Sequence, residues 1–234
     1  ANQLEFLNEV AEKAPLIAQD SDLPAGSKRL CFLGTNNYDA GKAAGRLVKQ
    51  ALPDGGRVAI FVGSMDAQNA IDRRHGVLDE LAGQKNAAGP ELGSYTLIDT
   101  FTDDARQEIC KSKAEDALVQ HGDEPETLCL VGLWAYNPPA LLAAVKDRGL
   151  EGKVKLVGFD ENEETLQGVL DGHIIGTIVQ QPFEFGYQAV KMLSRLAQGD
   201  KSVLPNDGLH YIDYKVIRAD NVAAFREELR RLKQ

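Results

Sequence analysis

The sequence has little of what marks several large classes of protein. Its 234 residues contain no run of about 18 apolar residues, so no stretch could span a bilayer. The net charge of -9, with no cluster of Lys and Arg before the last helix, argues against a nucleic-acid partner. No charged and apolar leader opens the chain, so we expect any export signal to have been removed or left out.

Cysteine and histidine are scarce and scattered. Cys31, Cys110 and Cys129 show none of the paired spacings that hold zinc or a redox disulfide. Cys31 and Cys129 lie in apolar, strand-like runs, which favours buried thiols over a Cys110 to Cys129 disulfide. The four histidines lie far apart in the sequence, so they predict neither a metal site nor a catalytic triad.

Motifs of catalysis are also missing. No Gly-x-Gly-x-x-Gly follows a strand, and neither a phosphate loop nor a Gly-x-Ser-x-Gly elbow is present. We therefore expect a protein that is not an enzyme and that uses no cofactor.

Apolar, β-branched runs alternate with helical patterns along the chain. This alternation is typical of parallel sheets covered by helices on both faces, an α/β fold. The predicted strands are Pro15 to Ala18, Arg29 to Leu33, Arg57 to Val62, Tyr95 to Thr100, Thr127 to Val131, Val154 to Val157, Ile174 to Val179 and His210 to Ile217.

Helices are predicted from apolar residues that recur at intervals of three and four. Gly41 and Gly45 lie on the first of these helices and would permit close packing. The side chain of Asn137 is predicted to cap the helix that begins at Asn137-Pro138-Pro139. The predicted helices cover 39–52, about 67–81, about 104–120, 137 to before Gly149, and a last, solvated amphipathic one at 221–234.

Five segments in register resemble the periplasmic sugar-binding proteins of the ribose-binding type. Each segment alone is a weak signal, but their order along the chain makes the resemblance specific. They are the strand ending in an aspartate at Ala14 to Asp22, the stretch Gly34 to Gly41, Gly63-Ser64 with Gln68-Asn69-Ala70 and Arg73 before Gly76, the strand Val157-Gly158-Phe159-Asp160, and Thr177 to Tyr187.

The resemblance implies two doubly wound, parallel-sheet domains of the type I periplasmic-binding-protein fold. It assigns 1–36 and 180–207 to the first domain and 37–179 and 215–234 to the second, with crossings near 35–38, 179–181 and 208–214. Members of the family begin with roughly three further βα units of about 30 residues each. Ala1 to Lys13 is therefore expected to be the end of a helix in an incomplete first domain, belonging to a fragment or to a truncated product.

The resemblance also implies a ring of ligand-binding residues at the carboxyl ends of strands. Asp20 and Asp160 each follow an apolar strand, and an ionised carboxylate accepts two hydrogen bonds from neighbouring sugar hydroxyls. The alternative is that each carboxylate caps the following helix or turn. Gln180 offers a donor and an acceptor at a predicted crossing strand, unless it is an ordinary loop residue.

Other candidates lie on the predicted second domain or at its border. Asn69 and Arg73 lie one turn apart, although Arg73 would alternatively pair with Asp72 or Asp79 at the surface. Trp134, the single tryptophan, would stack on a sugar ring or else belong to the core. Three further residues complete the set of ligand-binding candidates: Asp104, whose neighbour Asp103 would then cap the helix, together with Thr35 and Phe159.

The function implied by the resemblance is that of a solute-binding component of an ABC importer. It would trap a monosaccharide or related polyol by hinge closure, as an exported or periplasmic monomer whose protein partner is a membrane permease. The effector-binding core of a lactose-repressor-type regulator has the same fold and is the main alternative. A sensory binding protein that feeds a receptor is a third.

Overall fold

Strands and helices alternate through nearly all of the chain, as its computed structural model shows for residues 2–232. The strands are β1 (Ile17–Gln19), β2 (Cys31–Gly34), β3 (Gly56–Val62), β4 (Glu91–Leu92), β5 (Tyr95–Thr102), β6 (Leu128–Gly132), β7 (Lys155–Phe159), β8 (Gly176–Val179), β9 (Leu209–Tyr211) and β10 (Lys215–Ile217). The helices are α1 (Asn2–Ala11), α2 (Asn37–Ala51), α3 (Gln68–Ala82), α4 (Gln107–His121), α5 (Asn137–Asp147), α6 (Glu163–Leu170), α7 (Pro182–Ala197) and α8 (Val222–Leu232), with short 3-10 turns at Pro125–Thr127 and Lys201–Val203.

The described residues form two compact units. The first consists of 2–36, 67–69 and 180–214, and the second of 37–66, 70–179 and 215–232. The segment 208–214, which contains β9 and which we expected to be a crossing, groups with the first unit. The assignment of the units to domains that move about hinges stays a prediction.

The first unit contains a three-stranded sheet in the order β1-β2-β9, with all strands parallel. Its core is formed by Cys31 and Leu33 of β2 together with Phe185 and Met192 of α7 and Ile212. All four residues of β2, the central strand, are buried. This burial explains why the strand reads as one continuous apolar run.

The second unit contains a seven-stranded sheet in the order β10-β8-β7-β6-β3-β5-β4. Its five central strands are parallel, while the edge strands β10 and β4 are antiparallel to their neighbours. A large apolar core joins this sheet to α4, α5, α6 and α8. The predicted α/β class with parallel sheets is confirmed.

Glycines allow α2 and α3 to approach each other closely. A Cβ on Gly41 would lie 2.1 Å from the backbone oxygen of Arg73, and one on Gly76 would lie 2.1 Å from that of Tyr38. On Gly45 it would lie 2.7 Å from the Cβ of Glu80. The expected role of Gly41 and Gly45 in close packing is confirmed, and it fixes the position of Arg73 in the second unit.

Most predicted elements agree with the observed ones within two or three residues, but the single strand predicted at His210 to Ile217 is wrong. It divides into β9, which is parallel to β2 in the first unit, and β10, which is antiparallel to β8 in the second. Gln181 donates to the Asp213 carbonyl in the intervening turn, at 2.6 Å. The apolar run thus serves two sheets, which periodicity alone does not reveal.

The helix predicted from Asp104 begins instead at Gln107. Asp104 and Ala105 have φ values of 54° and 57°, and this left-handed conformation is incompatible with the first turn of a right-handed helix. The short strand β4 was not predicted. The last two residues of the predicted terminal helix, 233 and 234, lie outside the described residues, as does Ala1.

Candidate functional site

The carboxyl ends of four neighbouring parallel strands carry the candidate residues of the second unit. β3 leads into Gly63, β5 into Asp103, β6 into Leu133 and Trp134, and β7 into Asp160. Because these strands are parallel and adjacent in the sheet, their carboxyl ends lie at one edge. The sheet therefore brings together side chains that are up to about a hundred residues apart in the sequence.

Arg73 of α3 contacts two of these strand ends, at Leu133 after β6 and at Phe159 of β7. Only 2% of its surface is exposed. Its guanidinium donates to the Asn37 side-chain oxygen and to the Leu133 carbonyl, both at 2.8 Å. It also lies 4.4 Å from the centre of the Phe159 ring, in a cation–π contact. The expected alternative of an exposed ion pair at the surface is wrong, because the side chain is buried in the second unit.

Trp134 lies directly against Gly63. An added Cβ on Gly63 would be 1.9 Å from the indole ring, so this ring position requires glycine. The edge of Tyr136 meets the indole at a centroid distance of 6.3 Å and an interplanar angle of 83°. The indole is only partly buried, yet its Nε1 is buried and has no hydrogen-bond partner in the described part of the chain.

Asp103 is the buried member of the aspartate pair after β5, with 2% of its surface exposed. Its carboxylate accepts hydrogen bonds from the Tyr136 hydroxyl and, at 3.0 Å, from the Asn137 amide. Burial and the hydrogen bond to Asp103 raise the pKa of Tyr136, so the phenol stays protonated. Asp103 thus does not cap the helix, contrary to expectation, and the residue at the N-cap of α4, Arg106, makes no side-chain cap.

Asp104, the predicted ligand-binding member of the pair, has an exposed side chain and pairs with Arg106 at 3.5 Å. The predicted cap by Asn137 is also wrong. The Asn137 side-chain oxygen instead accepts from the Trp134 N–H at 2.9 Å, while its amide donates to Asp103 and, at 3.3 Å, to the Cys110 sulfur. The helix start predicted at the tandem prolines is confirmed, but the Asn137 side chain bonds to Trp134 and Asp103 and does not cap the helix.

Asp160 has a φ of 65°, which places a residue other than glycine in the left-handed region. Its N–H donates to the Ile178 carbonyl at 2.8 Å, and its own carbonyl accepts from the Thr177 hydroxyl at 2.9 Å. The side chain of Asn162 caps α6, so a cap of this helix by Asp160 is wrong, while a cap of the turn by Asp160 stays a prediction. Unfavourable backbone conformations of this kind cluster at functional sites.

Asp20 of the first unit repeats this arrangement. It follows β1 with a φ of 68°, and its N–H donates to the Leu33 carbonyl at 3.2 Å. Thr35, just after the adjacent strand β2, is fully buried, and its hydroxyl has no partner within residues 2–232. Asp20 and Thr35 thus follow neighbouring parallel strands, as the strand-end pattern predicts.

The two remaining candidates also group with the first unit. Gln180 follows the last residue of β8 directly and lies in irregular structure. Asn69 is the second residue of α3 and is 8% exposed, and its side-chain oxygen has no partner among the described residues.

Sequence reasoning missed Tyr136 and Asn137 as supporting residues of the site, whereas Gly63 belongs to the Gly63-Ser64 segment that carries part of the resemblance. Gly63 was visible as the residue after a predicted strand, and Tyr136 and Asn137 as neighbours of Trp134. Their contacts to residues 33 or more positions away have no signal in local periodicity.

The three cysteines are all buried and unpaired, as expected. Burial raises the pKa of Cys110 and of Cys129 to about 12, so both thiols stay protonated. Within the described residues, His, Cys, Asp and Glu form no cluster that could hold a metal ion. No helix in this part of the chain is long and apolar enough to cross a membrane.

The chain is similar in sequence to periplasmic binding proteins. Residues 3–201 match a family model described as a periplasmic binding protein domain. The ribose import binding protein RbsB of Haemophilus influenzae is 23% identical over 188 residues, covering 80% of this chain and 59% of that protein. The chain therefore spans about three fifths of the length of this curated relative.

Solved structures agree. The glucose-galactose binding protein GanP of Geobacillus stearothermophilus matches with a TM-score of 0.82 and 28% identity, covering 93% of this chain and 72% of that one. The arabinose binding protein AraP of the same organism matches with a TM-score of 0.74 and 26% identity, covering 94% and 74%.

Proposed function

Because the chain belongs to the periplasmic binding protein family, we propose that it acts as the solute-binding component of an ABC importer for a monosaccharide or related polyol. The observation that carries the proposal is the left-handed conformation of Asp160 at the end of the buried strand β7. Asp160 directly follows Phe159, whose ring makes the cation–π contact with Arg73. The named sugar specificities of RbsB, GanP and AraP support the class of ligand.

The chemistry of the strand ends suits a polyol. The Asp160 carboxylate can accept two hydrogen bonds from adjacent hydroxyls, and charge-assisted bonds are stronger than neutral ones. Arg73 is fixed by Asn37 and by the Leu133 carbonyl, so little rotamer freedom remains to be lost when a ligand binds. Trp134 adds an aromatic surface for the apolar face of a sugar ring.

Asp20, Thr35, Asn69 and Gln180 are proposed as the contribution of the first unit. Asp20 has the same strand-end conformation as Asp160, and the Thr35 hydroxyl and the Asn69 side-chain oxygen have no partner in residues 2–232. Unpaired buried polar groups are costly, and a ligand hydroxyl would satisfy them. In this proposal the ligand draws the two units together by hinge closure, and the closed form engages the permease.

Calorimetric titration of the full-length protein with pentoses, hexoses, acyclic polyols and, as unrelated solutes, amino acids tests the proposal. We expect one sugar to bind with a Kd at or below the micromolar range and the amino acids not to bind. Small-angle scattering with and without that sugar should show a smaller radius of gyration in its presence. Absence of binding to every sugar and every polyol would refute the proposed function.

We further propose that the ligand is released unchanged, by an exported or periplasmic monomer that is not an enzyme. Chromatography of the sugar after prolonged incubation with the protein tests this, and a new product would refute it. The names of the relatives, which are binding proteins, favour transport over the effector-binding core of a regulator.

A further inference from the structure

A buried polar network lies behind Trp134. Asp103 accepts hydrogen bonds from Tyr136 and Asn137, and the Asn137 oxygen accepts from the Trp134 N–H. The backbone N–H groups of Asp103 and Asp104 both donate to the Gly63 carbonyl, at 3.3 and 2.9 Å. The same few residues therefore connect the ends of β3, β5 and β6.

The indole is confined by this network on more than one side. The Gly63 backbone lies against its six-membered ring, and the Tyr136 ring meets it edge-on. Tyr136 is in turn held through its hydroxyl by the buried Asp103. Each neighbour is itself fixed by a hydrogen bond or by backbone, so the orientation of Trp134 is set before any ligand arrives.

Two features of Trp134 point to a ligand. Part of the indole remains accessible although Gly63 and Asn137 beside it are buried. Its Nε1 is buried without an acceptor in the described part of the chain, whereas a buried indole N–H usually has one. A ligand oxygen would supply this acceptor while the ring supplies a flat apolar surface.

We propose that Gly63 and the Asp103, Tyr136 and Asn137 network hold the Trp134 indole as a wall that selects pyranose sugars over acyclic polyols. The inference rests on the proposed function and adds a ligand class and positioning residues to it. A pyranose presents a flat face of C–H groups that stacks on an aromatic ring, whereas a flexible acyclic polyol has no such face and loses more conformational freedom on binding.

The first test measures the affinities of wild type and of Trp134→Ala for a panel of pyranoses and their acyclic alditols. Loss of a central aromatic contact is expected to weaken binding of the preferred pyranose by roughly 30-fold or more. The affinity for alditols should change by about threefold or less, since they make no stacking contact.

The second test examines the positioning residues. Trp134 is the single tryptophan among these 234 residues, and subtracting the emission spectrum of Trp134→Ala isolates its fluorescence. Tyr136→Phe keeps the ring but removes the hydroxyl bonded to Asp103, and we expect a shifted emission maximum and a loss of roughly 3- to 10-fold in pyranose affinity. Gly63→Ala should shift the emission further, because its Cβ would overlap the indole.

Matched controls separate positioning from stability. Tyr95 donates its hydroxyl to the Leu52 carbonyl at 2.8 Å in the core of the same unit, so Tyr95→Phe loses a comparable buried hydrogen bond. Gly89→Ala introduces a methyl group whose nearest neighbour is 4.0 Å away. Neither control should alter the emission of Trp134 or the pyranose-to-alditol ratio.

The possible results are distinct. A Trp134→Ala variant that loses pyranoses and alditols by the same factor, or a Tyr136→Phe variant that behaves like Tyr95→Phe, would overturn the inference while sugar binding stands. A wild-type protein that binds an alditol as tightly as any pyranose would do the same. Failure to bind any sugar or polyol would refute both the proposed function and this inference.

Discussion

Replacing Asp160 with glycine is expected to make the protein slightly more stable while removing most of its affinity for sugar. The left-handed conformation costs a residue with a Cβ about 1–2 kcal/mol. Both backbone hydrogen bonds of Asp160, to Ile178 and from Thr177, remain in the variant. Since glycine costs about 0.5–1 kcal/mol through its freedom in the unfolded chain, the net gain from the backbone is about 0.5 kcal/mol.

The effect on binding has the opposite sign. A carboxylate that accepts two hydrogen bonds from sugar hydroxyls contributes about 3 kcal/mol, at about 1.5 kcal/mol for each bond. Its loss therefore raises Kd by roughly 150-fold. Differential scanning calorimetry should show a Tm higher by about 1–2 °C, while titration calorimetry should show the loss of affinity.

Asn86→Gly is the matched control, because Asn86 has a φ of 61° in the second unit but lies in the loop after α3, away from the strand ends. It should gain similar stability and keep the wild-type Kd. An Asp160→Gly variant that binds within about threefold of wild type would refute the role of the carboxylate. If Asp160→Gly were clearly less stable than wild type while Asn86→Gly was more stable, the argument from backbone strain would be refuted.

Further predictions concern the stability of the fold and the burial of its thiols. Gly41→Ala should lower the free energy of unfolding by about 1–3 kcal/mol, because its Cβ would lie 2.1 Å from a backbone oxygen of α3. Gly186 lies on α7 with open space around it, so Gly186→Ala should raise that free energy by about 0.5–1 kcal/mol. If thermal unfolding showed the same change in stability for Gly41→Ala and Gly186→Ala, the packing argument would be contradicted. Burial raises the pKa of Asp79, but hydrogen bonds from the Ala87 N–H and the Tyr38 hydroxyl outweigh it, so the folded pKa lies below the usual value of about 4. Ionised Asp79 thus stabilises the folded protein above the unfolded pKa, and this contribution is lost as the pH falls through the folded pKa. Asp79→Asn should therefore lower Tm at pH 7, and the difference in Tm from wild type should narrow below about pH 4. The three buried cysteine thiols should react with a thiol reagent only after unfolding, and rapid reaction of the folded protein would contradict their burial.

Patterns of local sequence were enough to recover the alternation of strands and helices and two of the strand-end carboxylates. Buried parallel strands such as β6 and β8 are apolar on both faces, so they appear as continuous apolar runs. Asp160 was singled out by the resemblance of Val157 to Asp160 to the ribose-binding type, and its position directly after an apolar strand agrees with that resemblance. Apolar runs and the residues that directly follow them are properties of neighbouring residues in the chain, so they can be recognised before the fold is known.

Tertiary structure alone distinguished Asp103 from Asp104. Both carboxylates follow β5, but Asp104 has a left-handed conformation that turns the chain. Tyr136 and Asn137, which follow β6 in the sequence, donate hydrogen bonds to Asp103. Likewise, only the adjacency of β3 and β6 places Trp134 on Gly63. Sequence by itself thus determined which residue types lie at the strand ends, because hydrophobic burial is local and periodic. Packing of distant strands decided which side chains meet there, because contacts between distant residues leave no periodic trace.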